Sequence, residues 1–305
     1  MATVTGGNRW WVYQRERFPL LAHGPLILAF SFSAASYSAL ARGAAPPPLA
    51  AVAVAFATSL LFFLQLRIAD EFKDAEEDAR YRPYRPVPRG LVTLAELRRI
   101  GVAGAVLQLV LAFALDPRLM PLLAVVWVYF GLMSREFFVR EWLKARPFTY
   151  LWTHMLVMPL IDFYATACDW LVAGAGAPPR GLGWFVAASF FNGIVIELGR
   201  KIRAPEDEEE GVETYTVVWG RAKAVGAWVL ALSATLACAA GAAAVIGVTL
   251  WVSAVLALIL LAALALAMRF LAGPRRGMGR RFETASGVWT LALYLGLGVL
   301  PLLLP

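Results

Sequence analysis

An all-α, polytopic membrane protein with about nine spanning helices is the fold class the sequence predicts, on three observations. The 305 residues are 60% hydrophobic and 16% charged, with a mean hydropathy of +0.66, far more apolar than the roughly 45–50% of a soluble domain. The apolar residues come in runs of about 20, the length that crosses a hydrocarbon core. The cations fall in alternate connections: of the 28 Lys and Arg, all but Arg42, Arg118 and Arg180 share a side with the N-terminal arm. Because Lys and Arg concentrate in cytoplasmic loops, the N-terminus and that set of loops are expected to be cytoplasmic.

In chain order, Trp10, Trp11 and Tyr13 read as interfacial anchors. No short apolar core followed by a small-residue cleavage site comes before the first span, which is therefore expected to be retained. Spans are predicted near residues 20–41, 46–69, 94–115, 119–134, 149–173, 181–200, 222–246, 248–270 and 284–304. The fourth is short and the seventh and eighth are barely separated, so eight or ten spans also fit. Residues 42–49 (RGAAPPPL) and 173–183 (AGAGAPPRGLG) read as Pro/Gly-rich turns on the other side. One domain over residues 1–305 is the economical reading.

Composition excludes several functions. Cys168 and Cys238 sit in apolar stretches without metal-ligand spacing, so neither a disulfide framework nor a zinc site is indicated. His23 and His154 are far apart in sequence, which gives a nucleophilic triad little support. The net charge of +7 belongs to one face and suits anionic lipid, not nucleic acid.

Function is expected on that charged side. Residues 67–90, RIADEFKDAEEDARYRPYRPVPRG, carry Asp70, Asp74 and Asp78 four residues apart. On a helix continuing the second span they stack on one face, about 6 Å of rise apart. Each like-charged pair costs about 0.2–0.5 kcal/mol, and an Asp at bilayer depth about 2.5–3.5 kcal/mol, so a counter-charge is needed. Hard oxygen ligands suit Mg²⁺, which takes one or two carboxylates together with substrate phosphates. A lone acidic run is more often a solvated helix end. A second run, however, occupies the corresponding place after the sixth span. Residues 197–220, ELGRKIRAPEDEEEGVETYTVVWG, carry Glu197, Glu206, Asp207, Glu208, Glu209 and Glu210. Pro205 should end any helix near Ala204, leaving the later carboxylates on a loop folding over the site.

These residues resemble the UbiA-type intramembrane prenyltransferase superfamily. Its first motif, Asn/Asp and two further Asp at four-residue spacing followed by RPxPxG, is met by Asp70, Asp74, Asp78 and the segment Arg85-Pro86-Val87-Pro88-Arg89-Gly90. The ending of its second motif is met by Asp207, Gly211, Thr214 and Gly220. Asp70 stands where Asn is usual, and Arg203 where a further Asp is usual. Glu197 is a candidate for the missing ligand. The resemblance implies a nine-helix fold around a central cavity and an isoprenyl diphosphate held through Mg²⁺ between the two acidic motifs. The metal-ligand candidates are then Asp70, Asp74, Asp78, Glu197 and Asp207, with Asp70, Asp74, Asp78 and Asp207 as the catalytic set. The diphosphate-binding candidates are Arg67, Lys73, Arg82, Arg85, Lys201 and Arg203, since arginine suits forked phosphate contact. Mg²⁺ and these cations would neutralise the leaving diphosphate, and a lipophilic acceptor would capture the allylic cation.

Two further features stand out. Asp162, within the fifth span, either orients an acceptor or pairs with a neighbouring helix. The connection SREFFVREWLKARPFTY suits a lid, or equally an interfacial helix. A terpene cyclase or a lipid-phosphate phosphoribosyl-type transferase on the same fold, and a divalent-cation transporter, are the competing functions. Transporters usually hold their carboxylates near the midplane, where only Asp162 lies. Prenyl chain length, the acceptor and the oligomeric state are not legible in the sequence.

Overall fold

The computed structural model describes residues 8–304. Among them every regular element is a helix. A short charged helix, α1 (Arg9–Arg17), leads into α2 (Leu20–Ala41) and, past the Pro-rich turn, α3 (Leu49–Lys73) and α4 (Ala75–Tyr81). Next come α5 (Leu94–Leu115) and α6 (Met120–Ser134), then α7 (Arg140–Lys144), α8 (Pro147–Met155) and α9 (Val157–Trp170). The remainder is α10 (Leu182–Arg200), α11 (Tyr215–Trp219), α12 (Arg221–Val245), α13 (Thr249–Ala272), α14 (Met278–Gly298) and the last turn α15 (Leu300–Leu303).

Among the described residues, seven helical segments are long and apolar enough to cross a membrane: α2, α3, α5, α6 with its preceding 3-10 turn, α10, α12 and α13. The protein is an integral membrane protein. The two other expected spans are helical but depart from that pattern. The fifth is split into α8 and α9 because Pro159 has no N–H to donate and its ring crowds the carbonyl of Met155, where α8 ends. The ninth, α14, begins earlier than predicted and takes in Arg280, Arg281 and Glu283.

The helices close into a ring. Each of α2, α3, α5, α6, α9, α10, α12, α13 and α14 packs on the next, and α14 returns to α2. Helix α2 also meets α9 across the ring. At the end far from the acidic segments the Arg42 guanidinium grips buried Asp169 with both Asp oxygens at 2.9 Å, and Tyr37 stacks on Phe185 at 4.6 Å. Val102, Val106, Val110 and Phe113 of α5 are exposed on one side, an apolar stripe that suits lipid contact.

The acidic end is built differently, from polar caps and short helices. Thr93 and Glu96 form a reciprocal capping box that starts α5 sharply after the RPxPxG segment. Gly90 there takes φ +75°, a conformation that costs glycine nothing. Helix α1 docks on this end through Tyr13, which is 4% exposed and clusters with Ile68, Val92 and Leu97. Tyr13 is therefore not an interfacial anchor, whereas Trp11, 56% exposed, keeps a surface position.

Candidate active site at the acidic end of the bundle

The first acidic segment is helical on both sides of a break at Asp74, whose backbone leaves the helical region (φ −93°, ψ 6°). Four-residue hydrogen bonds nevertheless run through it, from Asp74 N–H to Asp70 O at 2.9 Å and from Asp78 N–H to Asp74 O at 2.7 Å. The expected spacing survives, but the three carboxylates enter different environments. Asp70 is 45% exposed at its side chain and faces Arg67 at 3.3 Å. Asp74 makes no ion pair among the described residues, and burial, then the neighbouring Asp70, push its carboxyl above the usual range. Asp78 is buried, gripped by Arg85 at 2.7 and 2.8 Å and by Arg82 at 3.2 Å.

Lys73 points away from these carboxylates. Its ammonium pairs with Glu136 at 2.6 Å and bonds the Tyr150 hydroxyl. Glu136 also meets His154 at 3.2 Å. Although burial opposes ionisation of Glu136, hydrogen bonds from His154 and Lys73 hold its pKa at about 2. Glu136, Phe137 and Phe138 take φ of 51°, 51° and 60°, a left-handed turn without glycine that costs roughly 1–3 kcal/mol per residue. Buried Glu136 offsets part of that cost. The connection after α6 is further tied to α4 by Lys144 and Arg140, at 3.4 and 4.0 Å from Glu77.

The second segment leaves α10 at Arg200, and Pro205 opens a single 3-10 turn (Pro205–Asp207). Glu197 is held by its own helix end, by Arg200 at 2.7 Å and Lys201 at 2.8 Å. Thr214 and Thr216 donate to Glu208 at 2.7–2.8 Å, which rolls the loop back on itself. The loop then lies against α4. Tyr84 donates to Glu209 at 3.4 Å, and a Cβ on Gly211 would sit 2.5 Å from the Tyr81 ring.

The structure therefore brings some of the expected residues together and leaves others apart. Arg200, itself in the second segment at the end of α10, pairs with Glu197 at 2.7 Å and lies within the field of Asp70 on α3. Asp78, Arg82 and Arg85 form a second group. Asp207 instead accepts the Gly277 N–H at 2.6 Å. With Arg203, Arg276 and Arg280 it lines a separate cavity of about 290 Å³. Asp162 lies deep in the bundle, where the Tyr294 hydroxyl donates to it at 3.2 Å. Among the described residues no three acidic, His or Cys side chains form a ready-made metal cage. The donor set still fits a cation that takes only one or two carboxylates and completes its shell with phosphate and water: Asp70 is open, and Asp74 lacks a cationic partner.

Sequence reasoning missed Glu136, Tyr150 and the pair of Arg17 with Glu71. Glu136 and Arg17 looked like ordinary loop and arm charges. Nothing in their spacing marks them.

A closed ring of helices, most of them long and apolar enough to span a membrane, carries two acidic segments at one end, which defines a polytopic α-helical membrane protein. The sequence matches the UbiA prenyltransferase family over residues 28–291, and the chain belongs to that family. Its fold is similar to an apo UbiA homologue from Aeropyrum pernix K1 (TM-score 0.67, 16% identity, 90% of this chain and 96% of that one). A digeranylgeranylglyceryl phosphate synthase is similar too (TM-score 0.64, 13% identity, 97% and 99%). So is a UbiA homologue from Archaeoglobus fulgidus bound to GPP and Mg²⁺ (TM-score 0.57, 13% identity, 94% and 99%). No curated protein matches the chain.

Proposed function

We propose that the protein transfers an isoprenyl group, within the membrane and with Mg²⁺, from a prenyl diphosphate to an aromatic or other lipophilic acceptor. One observation carries this reading: α3 and α10 present acidic segments at the same end of the ring, with Arg200 under the influence of both. The Archaeoglobus fulgidus homologue with GPP and Mg²⁺ supports the choice of ligand. The chain acts as one transmembrane domain, with its N-terminus and acidic loops in the cytoplasm.

Asp70, Asp74 and Asp78 from the first segment and Glu197 and Asp207 from the second are the residues that would hold Mg²⁺. Held there, Mg²⁺ would supply charge neutralisation, so that the diphosphate could leave without needing a proton. Arg67, Arg82, Arg85, Lys201 and Arg203 bind the phosphate oxygens, and Lys73 joins them by exchanging Glu136 for substrate. The bond from the prenyl C1 to oxygen breaks, its electrons leave with the diphosphate, and an electron pair of the acceptor forms the new bond as the acceptor loses a proton. Asp162 is assigned to the acceptor. Its Oδ1 and the Nδ2 of nearby Asn192 are buried without partners, and a hydroxyl in their midst would satisfy both, donating to the oxygen and accepting from the amide.

The test is to offer the purified protein labelled geranyl, farnesyl and geranylgeranyl diphosphates with Mg²⁺ and a lipid extract, and to identify products by mass. A prenylated acceptor is the expected product. Cyclic hydrocarbons formed without acceptor would make the protein a cyclase. Failure to consume any diphosphate, together with metal flux into liposomes, would make it a transporter.

A further inference from the structure

The connection that follows α6 presents large apolar side chains that no other part of the protein covers. Phe138 is 73% exposed, Trp142 49% and Phe148 69%, and Trp152 is exposed as well. Leu143 of α7 and Leu151 of α8 are buried, so each of these short helices has an inner and an outer face. Phe148 and Trp152, four residues apart on α8, share the outer one. Cations are interleaved with the rings. Arg135, Arg140, Lys144 and Arg146 are exposed, and Glu141 is the one exposed acid between residues 135 and 146. Arg146 lies over the Trp142 ring at 4.4 Å and donates to the Trp142 carbonyl at 3.2 Å. Arg140 and Lys144 reach exposed Glu77 at 4.0 and 3.4 Å, long surface pairs that contribute little and exchange easily.

The chain itself sets the depth of this surface. The membrane-spanning segment that contains α6 ends at Ser134, and the bundle is re-entered through α8 and α9, so the connection runs along the boundary between hydrocarbon and water. At its start the left-handed turn over Glu136, Phe137 and Phe138 sends the Glu136 carboxylate inward to Lys73 and leaves the Phe138 ring outside. Pairing of Glu136 stabilises one side of that turn. The exposed ring stabilises nothing until an apolar phase covers it. Aromatic rings settle at headgroup level, and Lys and Arg beside them are drawn to a negatively charged leaflet.

We propose that the connection after α6 is a binding surface for anionic phospholipid, with Phe138, Trp142 and Phe148 seated at the boundary of headgroups and acyl chains and Arg140, Lys144 and Arg146 on the headgroup phosphates. Charge complementarity selects the lipid: three cations beside one exposed carboxylate favour a headgroup of net negative charge over a zwitterionic one. The inference stands apart from the proposed function, since none of these three cations is assigned to the diphosphate.

The test is thermal unfolding of the full-length protein in nanodiscs of dioleoyl phosphatidylcholine, with and without dioleoyl phosphatidylglycerol. Phosphatidylglycerol should raise the wild-type Tm by at least about 5 °C. The triple variant Arg140→Gln, Lys144→Gln, Arg146→Gln should match wild type in pure phosphatidylcholine and lose most of that gain. A control that removes three exposed cations elsewhere at the same end, Arg221→Gln, Lys223→Gln and Arg275→Gln, should keep it. An undiminished gain in the first triple variant overturns the inference, and so does an equal loss in the control, which is the mark of net charge alone. Absence of any wild-type gain also overturns it and leaves the surface to a protein partner. If inorganic phosphate reproduces the gain in pure phosphatidylcholine, the ligand is a free anion and the lipid assignment falls. Should the triple variant not fold, Lys144→Gln and Arg146→Gln are read singly: loss of part of the gain in each supports the inference, and full gain in both overturns it.

Discussion

The two acidic segments occupy corresponding places but are built to different standards. In the first, Asp78 is buried between two arginines, the helical hydrogen bonds run through the break at Asp74, and α1 and the connection after α6 brace the segment from outside. In the second, Glu197 is restrained by cations of its own helix end, and Asp207 is anchored by one backbone N–H from Gly277. The difference teaches that the first is braced by other elements and the second mainly by its own; under the proposed function the first is the prepared platform, and the second would exchange partners to share a ligand. Charge repulsion between the segments is eased by these partners: Glu197 has Arg200 and Lys201, Glu208 has Thr214 and Thr216, and Asp207 has the Gly277 N–H.

The sharpest way to break this comparison is at the platform. Asp74→Ala and Asp78→Ala should each lower turnover at least about 100-fold, the loss of one major electrostatic stabiliser, as read by single-turnover assays with a labelled prenyl diphosphate. Full activity in both variants, or in excess EDTA, would dissolve the distinction between the segments. Next comes the second segment. Glu197→Gln should reduce turnover and Mg²⁺ affinity about as severely as Asp207→Asn, whereas Arg203→Ala should mainly raise KM for the diphosphate. Wild-type behaviour of Glu197→Gln together with inactivity of Arg203→Ala would show that a cation stands in for the missing carboxylate.

A brace gives the third effect. His154 and Lys73 hold the Glu136 carboxyl down to about 2 against the cost of its burial, below the ordinary glutamate value of about 4.3. A depressed folded pKa means its stabilisation is complete above the unfolded value and is lost as pH falls from about 4.3 toward 2. Glu136→Gln should therefore cost about 1.5–3 kcal/mol at neutral pH, the strength of a charged hydrogen bond, and the gap from wild type should narrow in acid. Parallel melting curves of the two proteins down to pH 3 would contradict this. The smallest effect is expected at the contact between the segments. Gly211→Ala puts a Cβ at φ +73° against Tyr81 and should push the loop off α4, raising the Mg²⁺ requirement a few-fold with little loss of maximal rate. A loss of rate at saturating Mg²⁺ would mean that the loop also shapes the chemistry.

Much of this was legible in the residues. Runs of about 20 apolar side chains specify spanning helices because the bilayer satisfies no backbone hydrogen bond. Hydropathy therefore located α2, α3, α5, α10, α12 and α13 to within a few residues. The helix was expected to break near Ala204, and α10 ends four residues earlier, at Arg200, with Pro205 opening a separate 3-10 turn; the motif spacing at Asp70, Asp74 and Asp78 pointed to the family found by the match. One misplaced expectation concerns a partner: Tyr13 looked like an interfacial anchor and is buried against α3. Lys73, a candidate for phosphate, is paired with Glu136 in the structure.

What the sequence by itself determined is local or solvent-defined: which segments span, where prolines stop them, which end gathers the charge, and the family. What only the tertiary structure decided is which charge meets which. Arg17 with Glu71, Lys73 with Glu136 and Asp207 with Gly277 join residues 54, 63 and 70 positions apart. Hydropathy and helical periodicity record how much surface a side chain loses, which one chain segment reveals. The identity of an ionic partner depends on how the whole ring closes, because an electrostatic contact between helices exists only once both have been placed.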